Sequence, residues 1–314
     1  MTHLRSMPGK NLEMRAYLEA MRPERWPRSL AIFVGSAAFF FLNHTHFQSS
    51  ELLWLLSRLS LAFLITWAIS TANYIINEIA DAPYDRHHPT KKHRPLLQGK
   101  IRTGPFLSLG SFLILGSLAI AWLCFSTPFF ISLTALLIAG FIYNIKPVRT
   151  KDIPFIDSIS ESANNPIRFL IGWFTFASAH YSPPLSLLLC WWSFGNFLMV
   201  AKRLSEFRYL KDNAGDYRLS LKRYSQRSLL FGMGISAGVF FITYFIFALR
   251  FDLPSFLFLS PFVFLYFFLF LKKTLQEKEV MEEPELLLRQ PIFALYTLIL
   301  AAAFFIAFLL DTAK

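Results

Sequence analysis

Long apolar runs alternate with short charged segments along almost the whole chain. The runs occupy residues 26–43, 54–77, 105–125, 128–145, 167–180, 184–201, 228–249, 254–271 and 291–310. Most are close to the roughly 20 residues with which an α-helix crosses a hydrocarbon core about 30 Å thick. The pattern predicts an all-α, polytopic membrane protein with about nine transmembrane helices. We expect residues 1–314 to form a single transmembrane domain.

The first 25 residues differ from this pattern. Residues 11–25 mix Leu, Met and Tyr with Arg and Glu at helical spacing, as in a helix that lies in the membrane interface. We therefore expect residues 1–25 to be an interfacial or cytoplasmic segment. The polar first 24 residues do not resemble a cleavable signal peptide.

Basic residues are concentrated on one side of the predicted topology. The segments that hold 28 of the 31 Lys and Arg residues are 1–28, 81–104, 146–168, 202–227 and 272–289. Because cytoplasmic segments of membrane proteins are enriched in Lys and Arg, these segments and the N-terminus are predicted to be cytoplasmic. An odd number of spans then places the C-terminus outside. The placement of the basic residues in these segments explains the net charge of +11, and no nucleic-acid partner is predicted.

The two cysteines restrict the chemistry further. Cys124 and Cys190 both lie inside apolar runs. This position argues against a disulfide framework and against a metal site built from thiolates.

An acidic pattern follows the second run. Asn77, Asp81 and Asp85 recur every fourth residue, so on a helix they share one face with about 6 Å of rise per step. Like charges at this spacing repel by roughly 0.2–0.5 kcal/mol per pair, and a bound cation would offset that cost. Oxygen ligands favour Mg2+. The pattern predicts Asn77, Asp81 and Asp85 as metal ligands, with Pro83 causing a kink or ending the helix nearby.

Basic side chains follow this acidic pattern and recur after the fourth run. Lys91, Lys92 and Arg94 are placed to hold phosphate groups of a metal-bound substrate. The residues after the fourth run that suit an anionic ligand are Tyr143, Lys146, Arg149, Lys151 and Arg168. The alternative is that these cations only anchor the topology.

A third cluster lies at the end of the sixth run. Lys202, Arg203 and Glu206 occupy, four spans later, the place that Asn77, Glu78 and Asp81 occupy after span two. The chain thus has a weak internal repeat in which one half ends in acids and the other in bases. Lys202 and Arg203 are predicted to bind phosphate. The alternative is a helical Lys202–Glu206 pair with ordinary topology anchors.

Taken with the polytopic pattern, these motifs resemble the UbiA superfamily of membrane prenyltransferases. The resemblance rests on N-x-x-x-D-x-x-x-D from Asn77 to Asp85 and on Y-x-x-K at Tyr143 and Lys146. Further motifs, D-R-H-H-P-T-K-K-H-R-P at 85–95, K-R-L-S-E at 202–206 and R-L-S-L-K-R-Y at 218–224, resemble the decaprenyl-phosphate phosphoribosyltransferase branch. The usual Asn-Asp pair of the family is Asn77-Glu78 in this chain.

The resemblance implies a UbiA-like helical bundle with an active site that faces the cytoplasm. It implies Mg2+-dependent transfer of 5-phosphoribose from 5-phosphoribosyl 1-diphosphate to a polyprenyl phosphate, with Asp81, Asp85 and Lys146 as catalytic residues. The product would enter the synthesis of a pentose-containing polymer of the cell envelope. One acidic and one basic cluster suit this chemistry, because a single Mg-bound diphosphate is activated while two further phosphates need cations.

Three other functions remain open at this stage. A prenyltransferase of the same fold that alkylates an aromatic or other small acceptor would have a second acidic helix end. A transporter would place ionisable groups near the middle of the bilayer. A non-catalytic membrane partner is the third alternative, and the sequence specifies no oligomeric state.

Overall fold

The computed structural model describes residues 10–43, 52–86, 91–210, 218–276 and 290–312. Across these ranges the chain is helical and has no β-strand, which confirms the all-α prediction. The α-helices are α1 Lys10–Met21, α2 Ala31–Leu42, α3 Leu52–Asp85, α4 Thr103–Cys124, α5 Thr127–Asn144, α6 Ile156–Ser162, α7 Asn164–Phe174, α8 Leu185–Leu210, α9 Gln226–Arg250, α10 Pro254–Gln276 and α11 Pro291–Thr312.

Each of the nine predicted spans contains a helix, but the helices differ in length. In the described part of the chain, seven are long and apolar enough to cross a membrane: α3, α4, α5, α8, α9, α10 and α11. The helices in the other two predicted spans, α2 and α7, have only 12 and 11 residues. A 3-10 helix, Pro23–Leu30, runs directly into α2, and together they extend roughly 34 Å.

The described residues divide into two compact units, here called unit 1 and unit 2. Unit 1 comprises residues 1–150 and 167–182, and unit 2 comprises 151–166 and 183–314. The single-domain organisation stays a prediction.

Unit 1 is built around α3, which packs against α4, α5, α1 and the 3-10 helix. One side of helix α1 packs on the unit, because Ala16 and Ala20 are buried in a cluster with Ile75 and Phe106, whereas Met14 and Leu18 are exposed. The interfacial position of the N-terminal segment stays a prediction.

Helices α2 and α7 approach closely through two glycines. A Cβ atom on Gly35 would lie 2.0 Å from the Phe169 carbonyl oxygen, and one on Gly172 would lie 1.9 Å from the Ile32 carbonyl oxygen. The Ser36 hydroxyl donates to the Gly172 carbonyl at 2.8 Å. Small residues of this kind allow helix backbones to meet in membrane proteins. The crossing fixes α7, the helix that carries Arg168.

Arg58, the charged residue inside the second predicted span, holds helix ends together. Its Nε donates to the Thr175 carbonyl at 2.6 Å, and its Nη1 donates to the Cys124 carbonyl at 3.1 Å. The guanidinium also lies 4.7 Å from the centre of the Phe125 ring. Because carbonyls at helix C-termini lack intrahelical donors, Arg58 satisfies them and has a structural role.

Unit 2 is built around α8, which packs against α9, α6 and α10. Its core is rich in phenylalanine, as in the contacts of Phe267 with Phe197 and Phe240, whose ring centres lie 4.7 and 4.8 Å away. Helix α9 begins with a capping box in which Ser225 and Ser228 exchange side-chain to backbone hydrogen bonds. The core therefore fixes the end of α8 that carries Lys202, Arg203 and Glu206.

Candidate active site

The acidic pattern lies on a single helix, α3, as its spacing predicts. Helix α3 continues through Pro83 and ends at Asp85, so the predicted helix end lies after the proline. Glu78 and Asp85 are buried, whereas the Asp81 side chain retains 19% of its exposure. Asp81 is therefore the acid of this face that a ligand can reach most directly.

Three arginines from three different segments pair with these acids. Arg149 Nη2 lies 2.9 Å from Asp81 Oδ1, and the Arg149 guanidinium lies 4.5 Å from the centre of the Tyr84 ring. Arg22, just before the 3-10 helix, lies 2.6 Å from Glu78 Oε2. Arg94 pairs with Asp85 and also lies 3.5 Å from Glu78 Oε2. The pairs offset the like-charge repulsion along α3 and connect the motif to the segments around residues 22, 94 and 149.

Two of these arginines have an unusual backbone conformation. Arg22 has a φ of +53° and Arg149 a φ of +33°. Non-glycine residues rarely adopt positive φ, which costs of order 1–3 kcal/mol and is often found at functional sites. At both positions the arginine guanidinium pairs with an acid of α3.

The donor atoms of this motif fit Mg2+. Asn77, Asp81 and Asp85 offer an amide oxygen and two carboxylates, and Mg2+ commonly takes one or two protein carboxylates together with waters and substrate phosphates. Within the described ranges, no three His, Cys, Asp or Glu side chains are grouped to hold a metal ion. The motif therefore suits an ion that arrives with a diphosphate, and it is not a complete metal cage.

Unit 2 has a second charged cluster, here called the Arg203 cluster, with the opposite arrangement. The Arg203 side chain is fully buried and bonds to three carboxylates: Asp157 Oδ2 at 2.7 Å, Glu161 Oε2 at 2.5 Å and Glu206 Oε2 at 3.0 Å. Lys202 lies 3.4 Å from Glu161 Oε1. The basic end of α8 is therefore tied to acids from α6 and from α8 itself.

Residues 218–224 close the Arg203 cluster from another side. Ser220 Oγ donates to Asp157 Oδ2 at 3.1 Å, and the Tyr224 hydroxyl donates to Asp157 Oδ1 at 2.5 Å. Arg218 lies 3.9 Å from Asp157 and 4.0 Å from Glu206. Burial, and then the Asp157 carboxylate, raise the pKa of Tyr224 above its ordinary value. Tyr224 therefore stays a neutral hydrogen-bond donor.

The other predicted site residues occupy different environments. Tyr143, near the end of α5, is half-buried, and Lys146 just after it is exposed. Lys92 is exposed, and the Lys91 side chain lies outside the described residues. Lys151 is buried, and Arg168 on α7 is buried with its Nη2 3.3 Å from Ser70 Oγ. The roles assigned to these residues stay predictions.

The sequence-based site prediction did not include three carboxylates of the Arg203 cluster. Asp157 and Glu161 are four residues apart on α6, and Glu206 follows Arg203 by three residues. Like charges at i and i+4 destabilise a helix unless a cation lies nearby. The spacing of Asp157 and Glu161 therefore indicated a nearby cation, but it did not indicate which cation.

Comparison with known proteins identifies the family of this chain. The long apolar helices with charged clusters at their ends define a multi-pass membrane protein. The sequence model of the UbiA prenyltransferase family matches residues 30–286. The chain therefore belongs to the UbiA prenyltransferase family and is a multi-pass membrane transferase, which confirms the resemblance predicted from its motifs.

Individual relatives are distant. The chain is 26% identical over 249 residues to decaprenyl-phosphate phosphoribosyltransferase of Mycolicibacterium smegmatis, covering 78% of this chain and 73% of that protein. It is 28% identical over 227 residues to nodulation protein NoeC of Azorhizobium caulinodans, covering 71% and 67%. Its fold matches a UbiA homolog from Archaeoglobus fulgidus bound to DMAPP and Mg2+, with a TM-score of 0.70, 18% identity, and coverage of 93% and 98%.

Proposed function

We propose that this protein transfers 5-phosphoribose from 5-phosphoribosyl 1-diphosphate to a polyprenyl phosphate in a Mg2+-dependent reaction. The names of distant relatives support this substrate class, since one of them is a decaprenyl-phosphate phosphoribosyltransferase. The Mg2+ bound to the structural neighbour from Archaeoglobus fulgidus supports the cofactor.

The observation that carries the proposal is the Arg203 cluster. An enzyme of this fold that ionises a prenyl diphosphate with two metal-binding motifs would need accessible acids at the end of α8 as well as on α3. Here Asp157, Glu161 and Glu206 all bond to Arg203. Lys202 and Arg218 add the two further positive charges that balance the three acids. Asp157 and Glu206 are also buried around this network, at 0% and 2% exposure, whereas Asp81 of the α3 motif keeps 19% and is the acid better suited to a Mg-bound diphosphate.

Within unit 1, the α3 acids and their arginines have complementary roles in the proposed reaction. Asp81 and Asp85, with Asn77, would hold Mg2+ on the donor diphosphate. Arg94 and Arg149 are paired with the same acids, so they lie where diphosphate oxygens would need cations. Arginine forks suit phosphate oxygens because they offer paired N–H donors. Glu78 would then keep Arg22 and Arg94 in position.

The proposed chemistry is a single displacement at the anomeric carbon. The bond from this carbon to the diphosphate oxygen breaks, with its electron pair leaving on the diphosphate. An oxygen of the lipid phosphate forms the new bond from the opposite face, and because this phosphate is already a nucleophile, no general base is required. When bound, Mg2+ would neutralise charge on the leaving diphosphate.

The remaining cations would hold the other two phosphates. Lys146 is exposed just after α5 and is assigned to charge that develops in the transition state. Lys151 and Lys202 are assigned to the lipid phosphate or the ribose phosphate. Arg203 has no exposed side-chain surface, so we assign it to positioning Lys202 through their shared partner Glu161.

An apolar groove in unit 1 suits part of the polyprenyl tail. It has a volume of about 240 Å³, and its walls are Ile76, Ile79, Ala80, Leu107, Gly110, Ser111, Ile114, Phe141 and Ile145. Ile76 and Ala80 immediately precede Asn77 and Asp81 in the chain. A lipid whose tail occupies the groove would therefore have its phosphate close to the acidic face of α3.

The charged segments are proposed to face the cytoplasm, with the N-terminus inside and the C-terminus outside. The concentration of 28 of the 31 Lys and Arg residues in five segments supports this orientation. Reporter fusions after Lys314 that are active only outside the cytoplasm test it. An inactive extracytoplasmic reporter with an active cytoplasmic one would contradict it.

A radiolabel transfer assay with purified protein in detergent tests the proposed reaction. One reaction contains Mg2+, decaprenyl phosphate and labelled 5-phosphoribosyl 1-diphosphate, and a parallel one contains a prenyl diphosphate and labelled 4-hydroxybenzoate. We expect label to enter the lipid phase only in the first reaction. Label only in the second would overturn the proposal in favour of an aromatic prenyltransferase. Asp81→Asn in the first reaction serves as the control for carry-over of unreacted label.

A further inference from the structure

Arg94 lies between two acids of α3. One atom of its guanidinium, Nη1, is paired with Asp85 Oδ2 and also lies 3.5 Å from Glu78 Oε2. The two acids are close to two helical turns apart in the sequence, so they lie on the same side of α3. Glu78 and Asp85 are buried, whereas the Arg94 side chain retains 17% of its exposure. Arg94 is therefore the member of this group that can move most easily.

Arg22 holds Glu78 in place from the other side. Its Nη2 lies 2.6 Å from Glu78 Oε2, and both side chains are largely buried. A buried carboxylate is stable only when it is paired, and Arg22 provides that pairing wherever Arg94 lies. An ionised carboxylate has about four acceptor positions on its two oxygens. Glu78 can therefore accept a second guanidinium while it keeps the first.

The move that would bring Arg94 fully onto Glu78 is short. A charge-assisted N–H···O bond has a length of about 2.8 Å, so the 3.5 Å distance from Nη1 to Glu78 Oε2 must shorten by roughly 0.7 Å. Arg94 follows the short 3-10 helix Lys91–His93 and is not part of α3. A change of its side-chain rotamer can therefore separate it from Asp85 without disturbing the helix that carries both acids.

Binding of a metal ion at Asp85 would require such a move. Asp85 is one of the predicted ligands of Mg2+, and a divalent cation and a guanidinium on one buried carboxylate repel each other. Arg94 must then leave Asp85. A displaced guanidinium in a partly buried place is costly unless it finds another anion. Glu78 is such an anion, and it lies within 1 Å of hydrogen-bonding distance from the same Nη1 atom.

We propose that Glu78 is the second acceptor for Arg94, and that transfer of Arg94 from Asp85 to Glu78 admits Mg2+ to Asp85. The inference rests on the proposed function for the identity of the metal and its role. Glu78 is then a positioning residue, because it acts through Arg94 and does not contact the ion. After the transfer Arg94 remains beside the acidic motif, where oxygens of the donor diphosphate would need a cation.

Metal binding without turnover tests this inference. Mn2+ prefers the same oxygen ligands as Mg2+, and the electron paramagnetic resonance signal of free Mn2+ reports how much is bound to detergent-solubilised protein. Excess Mg2+ should displace the bound Mn2+. Glu78→Gln removes the charge that receives Arg94 but keeps an acceptor oxygen for Arg22. We expect it to raise the Kd of Mn2+ about 10-fold, as for the loss of one hydrogen bond to a charged group.

A double variant distinguishes transfer of Arg94 from a general effect of Glu78. In an Arg94→Gln background no guanidinium from residue 94 competes with the ion for Asp85. Adding Glu78→Gln to this background should therefore change the Kd of Mn2+ by less than about 2-fold. A Glu78 that binds the ion directly, or that only supports the helix, would weaken Mn2+ binding by the same factor in both backgrounds. Equal factors would overturn the inference.

Glu19→Gln is the matched control, since it makes the same change of charge at an exposed position of α1 in the same unit, and it should bind Mn2+ like wild type. Glu78→Asp, in the same two backgrounds, carries the test where Glu78→Gln does not fold. It keeps the charge but shortens the side chain by one methylene, so its effect should be smaller. Wild-type protein that binds no Mn2+ would overturn both the inference and the metal assignment. The expected pattern of Mn2+ binding without label transfer would count against the proposed reaction alone.

Discussion

The charged ends of α3 and α8 use the same ion pairs in opposite ways. On α3 the long helix supplies the acids and separate segments supply Arg22, Arg94 and Arg149. On α8 the long helix supplies Arg203, which gathers carboxylates from α6 and from its own next turn. In each unit, charges that would be costly in isolation near a membrane are paired with opposite charges, several of which come from distant segments of the chain.

The two clusters differ in how open they are. Asp81 keeps 19% of its side-chain exposure and has a partner, Arg149, with 7%. At the centre of the Arg203 cluster, Arg203 and Asp157 are both completely buried, and exposure remains at its edge, with 16% for Glu161 and 12% for Lys202. An ion pair at the edge of a site can exchange one partner for a ligand, whereas a closed network cannot do so without unfolding locally. We infer that Asp81 and Arg149 form the reactive pair and that Arg203 and Asp157 are a scaffold that holds Lys202 in place.

The largest expected effect is from Arg203→Met. Removing the guanidinium leaves Asp157, Glu161 and Glu206 without their common partner in a buried place, which should cost about 3–5 kcal/mol of folding free energy. We expect a large loss of monodisperse protein in size-exclusion chromatography and a lower midpoint of thermal unfolding. Arg203→Lys should lie between this variant and wild type because it retains the charge but not the fork.

Arg223→Met is the control for Arg203→Met, since Arg223 is an exposed arginine of the same unit. It should unfold like wild type. An Arg203→Met protein with an unchanged thermal midpoint would mean that the Arg203 cluster does not hold unit 2 together.

The next effect distinguishes the clusters by activity. Asp81→Asn should reduce the transfer rate by about 10²–10³-fold, comparable to the loss of a group that stabilises transition-state charge, while the protein remains folded. Asp157→Asn should instead reduce the yield of folded protein. The measurements are the transfer rate at saturating Mg2+ and the thermal midpoint of each variant. Full activity of Asp81→Asn would remove Asp81 from the metal site.

Much of the fold could be predicted from hydrophobic periodicity, but helix lengths could not. Hydropathy ends the second and sixth runs at about residues 77 and 201, whereas α3 continues to Asp85 and α8 to Leu210. A pattern of apolar residues stops at the first charges because it carries no information about their partners. The helices continue because Arg149, Arg94 and the α6 acids neutralise those charges.

The site was predictable as a set of residue types and not as a set of contacts. The spacing of Asn77, Asp81 and Asp85 on one helical face was visible in the sequence. The pairing of Asp81 with Arg149 joins residues that are 68 positions apart. Such pairing depends on how α3 packs against α5, and several cations in the sequence were equally suitable.

A smaller effect comes from the hydroxyl that closes the Arg203 cluster. Tyr224→Phe removes the hydrogen bond to Asp157 and should decrease the free energy of unfolding by about 2 kcal/mol at neutral pH. Burial raises the pKa of Tyr224 in the folded protein. The stabilisation that the Tyr224 hydroxyl provides is therefore complete below about pH 10, the pKa of tyrosine in the unfolded chain. It is lost as the pH rises through the higher pKa that Tyr224 has in the folded protein.

Thermal unfolding of wild type and Tyr224→Phe, measured from neutral pH to about pH 11, checks this sign. The difference between the two midpoints should be largest at neutral pH and should shrink above pH 10. A difference that grows with pH would mean that the folded protein favours the ionised phenol, contrary to the position of Asp157.

The smallest and most selective effect concerns the exchangeable pair itself. In the absence of ligand, Arg149 and Mg2+ compete for Asp81, because the guanidinium lies 2.9 Å from its carboxylate. Arg149→Gln removes the competitor, so the Mg2+ concentration required for half-maximal rate should fall. The same change removes a fork for diphosphate oxygens, so the KM of the diphosphate donor should rise about 10-fold, or about 1.4 kcal/mol.

Steady-state rates over a grid of Mg2+ and donor concentrations separate the two constants. Opposite shifts are the signature of a partner that leaves Asp81 for the substrate, and general damage to the site would raise both constants together. A corresponding Lys202→Gln variant should leave the Mg2+ requirement unchanged, because Lys202 lies 3.4 Å from Glu161 Oε1, an acid that is not among the proposed metal ligands.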